Sequence, residues 1–206
     1  MTKNLRRSSW PRRAVPWILA LAFGLSPVTP QDARSGQGIT APSSEPVPLM
    51  HWNFDAAAPS SALDAAGKVT DKIEGKFTPV AGVSGKAVRL DGYTFCLERP
   101  AKQVPAIGGS FTVDAWVAQA AYPWNWAPVV VQEKDGVGGF FFGVGTRGQF
   151  MLELTINDEP YRCVSDDFVL PLRQWSHIAA VVTEGDGIAL FLNGKPKPCL
   201  SIMIVK

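Results

Sequence analysis

Residues 111–118, Phe-Thr-Val-Asp-Ala-Trp-Val-Ala, decide the fold class. The odd-numbered side chains from 111 to 117 are all apolar, and they share one face if the stretch is extended, because successive side chains of a strand point to opposite faces. Residues 150–156 repeat this alternation, with apolar side chains at the even positions. Both stretches are therefore predicted to be strands that bury one face.

Working outward from these two strands, the same criteria predict an antiparallel β-sandwich. Turn residues at 157–160 and the Glu-Gly-Asp-Gly stretch at 184–187 separate apolar runs, and the second is a strong hairpin signal. The only helical candidate is Ser60–Ala66. Short strands divided by turns are typical of sandwiches. Further strands are predicted at 49–55, 86–90, 94–98, 140–144, 161–165, 175–183 and 188–193.

The charge distribution argues against a nucleic-acid partner. The chain of 206 residues has a formal charge of +2, but residues 1–30 hold five of its 20 basic residues and no acid. Residues 31–206 therefore carry 15 basic against 18 acidic residues, a net charge of −3. A nucleic-acid-binding domain needs a clustered basic face, and the sequence contains none in this part.

The amino-terminal region predicts export. Residues 1–13 are basic and residues 14–25 are mostly apolar, a stretch too short to span a bilayer comfortably. We predict that residues 1–30 are a signal peptide or a retained anchor, and an anchor would be the only membrane contact. Residues 31–48 are polar and rich in Ser, Pro and Gly, which predicts a disordered linker. The folded domain is then 49–206, in the periplasm, at the cell surface or outside a bacterium.

Five motifs occur in order along the chain: His51-Trp-Asn-Phe-Asp55, Gly82-Val-Ser-Gly-Lys-Ala-Val-Arg-Leu-Asp-Gly92, Ser110-Phe-Thr-Val-Asp-Ala-Trp-Val117, Trp175-Ser-His-Ile-Ala179 and Phe191-Leu-Asn-Gly-Lys195. Together they resemble the LamG-like family of concanavalin A-type jelly rolls, which occur on bacterial surfaces and beside secreted glycosidases. The resemblance implies an all-β antiparallel jelly-roll sandwich, a fold that hosts lectins, glycanases and adhesion modules.

The carboxyl-terminal end departs from the family pattern. Members continue after the Asn-Gly-Lys turn into a final strand of the type G-x-I-D-E-V-R-I-Y, but here only residues 196–206 follow. Either residues 199–205 substitute as an edge strand, or the domain is C-terminally truncated. We favour truncation, which would leave the opening strand without its usual neighbour.

The three cysteines leave two alternatives. The spacing of Cys96, Cys163 and Cys199 includes no C-x-x-C element. In an exported domain, two of them could form a disulfide and the third would remain a thiol. Three buried, unpaired cysteines are the other interpretation.

The candidate catalytic motifs are incomplete, which predicts that the protein is not an enzyme. No pair of acids has the spacing on one strand that glycoside hydrolysis requires, since Asp166 and Asp167 are adjacent and would point to opposite faces. Gly143-Val-Gly-Thr-Arg-Gly148 fits the G-x-G-x-x-G pattern of dinucleotide sites, but a predicted strand follows it rather than a helix. His177 lies in a predicted strand and is interpreted as a packed structural residue.

The candidate binding residues lie in an aromatic loop, Tyr122-Pro-Trp-Asn-Trp126. Indole rings cover the C–H faces of sugars, and a carboxamide can donate to and accept from hydroxyl groups. We predict a ligand site at Tyr122, Trp124, Asn125 and Trp126; the alternative is that one or both tryptophans cap the core. No cofactor is expected, although Asn53 and Asp55 resemble the oxygen ligands of calcium in some family members.

Three functions remain open at the level of sequence. The favoured one is an exported, non-catalytic module that binds a polysaccharide or a cell-surface glycan. The second is the N-terminal accessory part of a secreted levanase-like glycoside hydrolase whose catalytic domain is missing. The third is a structural protein-interaction domain. The sequence decides neither the sugar nor the oligomeric state.

Overall fold

The computed structural model describes residues 47–56, 60–134 and 138–200. In these ranges the chain forms strands and one short 3-10 turn, Ala101–Gln103. The strands of the described ranges are β1 Ser61–Leu63, β2 Thr70–Glu74, β3 Phe77–Ala81, β4 Lys86–Leu90, β5 Cys96–Glu98, β6 Phe111–Val117, β7 Ala127–Lys134, β8 Gly138–Val144, β9 Phe150–Ile156, β10 Glu159–Val164, β11 Ser176–Thr183, β12 Gly187–Leu192 and β13 Lys195–Lys197.

Two four-stranded antiparallel sheets form the sandwich. Sheet I has the order β10-β9-β8-β7, and sheet II has the order β13-β12-β11-β6. Their facing sides share one core, whose most buried large members are at most 1% exposed: Phe142, Phe150 and Leu152 from sheet I, and Ile178 and Leu190 from sheet II. The predicted all-β antiparallel jelly-roll architecture is confirmed.

The alternation that predicted β6 is reproduced in space. Its odd-numbered side chains pack against the core, and its even-numbered ones, Thr112, Asp114 and Trp116, are exposed on the outer face. The predicted hairpin is also present, since Thr183 of β11 pairs with Gly187 of β12. The G-x-G-x-x-G stretch ends β8 and turns into β9, as the strand after it predicted.

The amino-terminal part of the domain forms two smaller sheets, one with the order β1-β2-β5 and one hairpin of β3 and β4. The only helical candidate of the sequence, Ser60–Ala66, is not a helix, because Ser61–Leu63 pairs with β2 as a strand. The strand predicted at 49–55 is reduced to a single bridge between Trp52 and Asp64.

The carboxyl-terminal segment passes from sheet II to sheet I. After β13 has paired with β12, Cys199 forms a disulfide with Cys163 of β10, and the Leu200 N–H donates to the Val164 carbonyl at 2.9 Å. Cys96 is an exposed free thiol, so the chain has one disulfide and one thiol rather than three buried cysteines. The alternative of an edge strand at 199–205 falls on residues that lie outside the described ranges from position 201 onward.

The predicted signal or anchor, residues 1–30, and nearly all of the predicted linker lie outside the described residues. Within the described ranges, no helix has the length and hydropathy needed to cross a membrane.

Candidate functional site

Three loops meet at one end of the sandwich, and together they carry the aromatic residues singled out by the sequence. They connect β6 to β7 (118–126), β8 to β9 (145–149) and β10 to β11 (165–175). Antiparallel neighbours bring these strand ends to the same edge. Hydrogen bonds also join the second loop to the third, from the Phe168 N–H to the Arg147 carbonyl at 2.6 Å and from the Leu170 N–H to the Gly148 carbonyl at 2.9 Å.

We call Tyr122, Trp124, Trp126 and Phe168 the aromatic rim, because all four lie on these loops. Trp124 is the most open member, with 86% of its surface exposed. Such exposure is unusual for so large an apolar side chain, and it excludes Trp124 from the core. The alternative that one or both tryptophans of the loop cap the core therefore does not hold for Trp124 and stays open for Trp126.

Trp126 and Tyr122 are half-buried, and glycines make room for both rings. A Cβ added to Gly145 would lie 2.9 Å from the Trp126 ring, and one added to Gly148 would lie 2.6 Å from the Tyr122 ring. Tyr122 is fixed further because its hydroxyl donates to the Leu170 carbonyl at 3.0 Å. The glycine pattern that resembled a dinucleotide loop thus seats aromatic rings.

Asn125 is exposed, but its carboxamide is partly committed within the loop. Its Oδ1 accepts the N–H of Trp126 at 2.8 Å. The side chain therefore offers a ligand chiefly the two N–H donors of its amide, rather than the donor and acceptor that the sequence predicted.

Phe168 is a member of the rim that sequence reasoning missed. Its side chain is 66% exposed, its ring centroid lies 6.1 Å from that of Tyr122, and its φ of 57° is in the left-handed region. A non-glycine residue there has a backbone cost of order 1–3 kcal/mol, which surrounding contacts must offset. Asp166 and Asp167, which precede Phe168, form no alternation of polar and apolar residues with it. No local pattern in the sequence therefore predicts that the Phe168 ring is exposed.

One exposed ion pair adds polar groups to the rim. Arg147 Nη2 lies 3.1 Å from Asp167 Oδ2; the Arg147 side chain is largely in solvent and that of Asp167 is partly exposed. An aromatic surface bordered by a guanidinium, a carboxylate and an amide can stack on a ligand and hydrogen-bond to it.

The residues considered for calcium make hydrogen bonds to the backbone. Asn53 Oδ1 accepts the Asp55 N–H at 3.2 Å, and Asp55 Oδ1 accepts the Lys86 N–H at 2.7 Å. Among the described residues, no three or more His, Cys, Asp or Glu side chains are grouped as a metal site would require.

His177, the other singular residue of the sequence, lies outside the rim. It is on the outer face of sheet II, where Nε2 is 3.1 Å from Asp114 Oδ1 and its ring centroid is 5.2 Å from that of Trp116. The imidazole is partly covered by these contacts, which is consistent with the packed structural residue that the sequence predicted.

A buried ionic network, which the sequence did not reveal, stabilises the amino-terminal sheet. Arg99 Nη2 lies 2.9 Å from Asp64 Oδ2 and 2.6 Å from Asp71 Oδ2, and all three side chains are almost fully buried. The Trp52 indole N–H donates to Asp71 Oδ2 at 2.7 Å, and its ring lies 5.2 Å from the Arg99 guanidinium.

Opposite influences act on the pKa of Asp64. Burial is the largest and raises it, but hydrogen bonds from the backbone of His51 and Gly67 and from Arg99 together lower it below the usual value. The pKa of Arg99 is raised, chiefly by its hydrogen bond to Asp71. Both shifts favour the charged forms of Asp64 and Arg99, and the same guanidinium contacts both carboxyl groups of the network.

Comparison with known proteins supports the fold assignment. A family model described as the concanavalin A-like lectin/glucanases superfamily matches residues 92–201, which are 110 of the 206 residues. Neither a curated protein nor a solved structure matches the chain. The superfamily assignment supports a carbohydrate-binding or structural module in general terms. By fold and by family match, the chain belongs to the concanavalin A-like lectin/glucanase superfamily.

Proposed function

We propose that this protein is an exported, non-catalytic module that binds a polysaccharide or a cell-surface glycan through the aromatic rim. The observation that carries the proposal is the exposure of Trp124 on a loop whose neighbouring rings are held in place. A flat, solvent-facing indole is suited to the apolar face of a pyranose, which water solvates poorly.

The surroundings of Trp124 support this choice of ligand. Phe168 adds a second exposed ring, while Asn125 and Arg147 add donors at the border of the aromatic surface. The contacts of Tyr122 with the loops 145–149 and 165–175 restrain this end of the sandwich. Binding a ligand therefore requires little further ordering of these loops.

The contacts of four carboxyl groups argue against acid catalysis by those groups. Glycoside hydrolysis requires a protonated carboxylic acid beside a second carboxylate. The pKa values of Asp64, Glu74 and Asp91 are lowered, which is the wrong direction for an acid catalyst at these three positions. Glu153 of sheet I forms an ion pair with Arg162.

Two features support export. Residues 1–25 combine basic and apolar stretches in the order of a signal peptide or anchor. The disulfide between Cys163 and Cys199 is typical of oxidising compartments such as the periplasm and the extracellular space.

The test replaces Trp124 with Ala and measures retention in native gels containing soluble β-glucan, levan or inulin. We expect Trp124→Ala to keep the parent's melting temperature within a few degrees and to lose retention on the gel that retards the parent, by about tenfold or more in apparent affinity. Trp126→Ala, by contrast, should lower the melting temperature, because this ring is half-buried against Gly145.

Tyr93→Ala is the matched control, because Tyr93 is an aromatic residue that is 88% exposed in the turn between β4 and β5. This variant should be retained like the parent. A Trp124→Ala variant that is folded and retained as strongly as Tyr93→Ala would contradict the rim as the binding site. A parent that none of the three polysaccharides retards would contradict the proposed function with these glycans.

A further inference from the structure

A second exposed aromatic residue stands on the outer face of sheet II, on the side away from the core. Trp116 of β6 is 51% exposed and pairs in register with His177 of β11. The two ring centroids lie 5.2 Å apart. Asp114 Oδ1, two residues before Trp116 on the same face, lies 3.1 Å from His177 Nε2.

Asn193 extends this cluster to a third strand. At the end of β12, its Oδ1 accepts the backbone N–H of His177 at 2.9 Å, and its own N–H donates to the His177 carbonyl at 2.8 Å. Trp116, His177 and Asn193 therefore form one row across three strands. Neighbouring strands are about 4.8 Å apart, so the row is about 10 Å long.

The row combines an apolar ring with fixed hydrogen-bonding groups. Because Asn193 Oδ1 is engaged by the backbone, its amide N–H groups can donate to a ligand, and the Asp114 carboxylate has a second oxygen that can accept. These side chains are already held by one another, so binding would cost little rotamer entropy.

The composition of this face suits a sugar better than a second protein surface. Trp116 is the only exposed large hydrophobic residue on the outer face of sheet II among the described residues. Val181 and Phe191 lie on the same face but are half-buried, and Thr112 and Ala179 are small. A protein interface has an extended apolar core. A pyranose, by contrast, presents one apolar C–H face surrounded by hydroxyl groups, which matches one ring beside donors and acceptors.

We infer that Trp116, with Asp114, His177 and Asn193, forms a second carbohydrate contact surface that binds the same polysaccharide as the aromatic rim. This inference rests on the proposed function. Strand β6 connects the two surfaces directly, because the loop 118–126 begins right after its last residue. Two contacts with one polymer raise the apparent affinity without any new contact at either site.

The experiment compares Trp116→Ala with Thr112→Ala, an exposed position on the same face of β6, in native gels containing soluble β-glucan, levan or inulin. We expect Trp116→Ala to melt like the parent and to lose about tenfold or more in apparent affinity for the polysaccharide that retards the parent. Thr112→Ala should be retained like the parent, and Trp116→Phe should restore part of the loss because a ring remains.

A second readout locates the contact. The chain has two histidines, so a His177→Gln variant assigns the imidazole NMR signal of His177 in the parent. We expect that signal to shift when oligosaccharides from the retained polysaccharide are titrated in, and the His51 signal to stay in place.

Each outcome separates the inference from the proposed function. If Trp124→Ala loses retention while Trp116→Ala does not and the His177 signal is unmoved, the second surface is refuted and the rim stands. If only Trp116→Ala loses retention, the outer face is supported and the rim is refuted. If no polysaccharide retards the parent, both fail. A parent dimer that Trp116→Ala dissociates would overturn the inference in favour of a second copy of the chain.

Discussion

Arg99 holds two buried carboxylates of the amino-terminal sheet at once, through Asp64 and Asp71. Replacing it with Met should cost about 3–5 kcal/mol of the free energy of unfolding, because two charges would remain buried without their partner. Thermal and urea unfolding measure this loss. Lys72→Ala is the control, since the Lys72–Glu74 pair lies on the adjacent surface of β2 and is exposed; it should change the melting curve little. Equal curves for the two variants would contradict a stabilising network.

The same network predicts how stability depends on pH. The pKa of Asp64 is lower in the folded state than its usual value, so its ionised form stabilises the fold. This contribution is complete above the unfolded pKa of about 4 and is lost as the pH falls through the lower folded pKa. We expect the melting temperature of the parent to be constant from about pH 7 to 5 and to fall below about pH 4. In Asp64→Asn the fall over this range should be shallower, and an equally steep fall would refute the assignment to Asp64.

At the scale of the strand, the sequence predicts best where one face is uniformly apolar. Strands β6 and β9 have that pattern, and β9 ends where the alternation of Phe150–Ile156 ends. The turn between β11 and β12 was likewise predictable from its glycines and acids. In each case the signal is local, because side-chain direction and turn chemistry depend on neighbouring residues only.

Prediction of strands from the sequence fails where a charged residue is buried. Asp71 is almost fully buried in β2, so this strand lacks the apolar alternation that marks a half-buried strand. Strand β1 has only three residues, and the buried Asp64 follows it directly. Ser60–Ala66 is rich in Ala, which favours helix, but pairing with β2 outweighs this propensity. The partner that makes the burial tolerable, Arg99, is 28 positions from Asp71 in the chain, and no local pattern reveals it.

The candidate site also has features that the sequence predicts and features that it does not. The loop Tyr122–Trp126 was identified from its composition, and whether it binds a sugar stays a prediction. The different exposure of Trp124 and Trp126 could not be predicted, because it depends on Gly145 of another loop. The exposure of Phe168 likewise depends on its contact with another loop, through Arg147. The outward direction of Trp116, by contrast, follows from the alternation of β6, but the sequence does not show which residues of β11 and β12 lie beside it.

At the scale of the whole molecule, the disulfide between Cys163 and Cys199 cross-links sheet I to the segment that leaves sheet II. With 36 positions between the two cysteines, the loop-closure model gives a stabilisation of about 3–4 kcal/mol. Replacing both cysteines with Ala should lower the urea midpoint accordingly, while Cys96→Ala should not, because Cys96 is an exposed free thiol. Dithiothreitol should lower the midpoint of the parent and leave that of the double variant unchanged. A reductant-insensitive parent would contradict a stabilising disulfide.

The same cross-link determines how the domain would carry mechanical tension. If tension is applied to the chain on the carboxyl-terminal side of Cys199, the force passes through the disulfide into β10. The polypeptide between the two cysteines, which includes β11, β12 and β13, then lies in a covalent loop that is not stretched. These are three of the four strands of sheet II, so they cannot be pulled away one by one from that end. Under reducing conditions β13 would bear the pull first, and the sandwich would unravel from its short last strand.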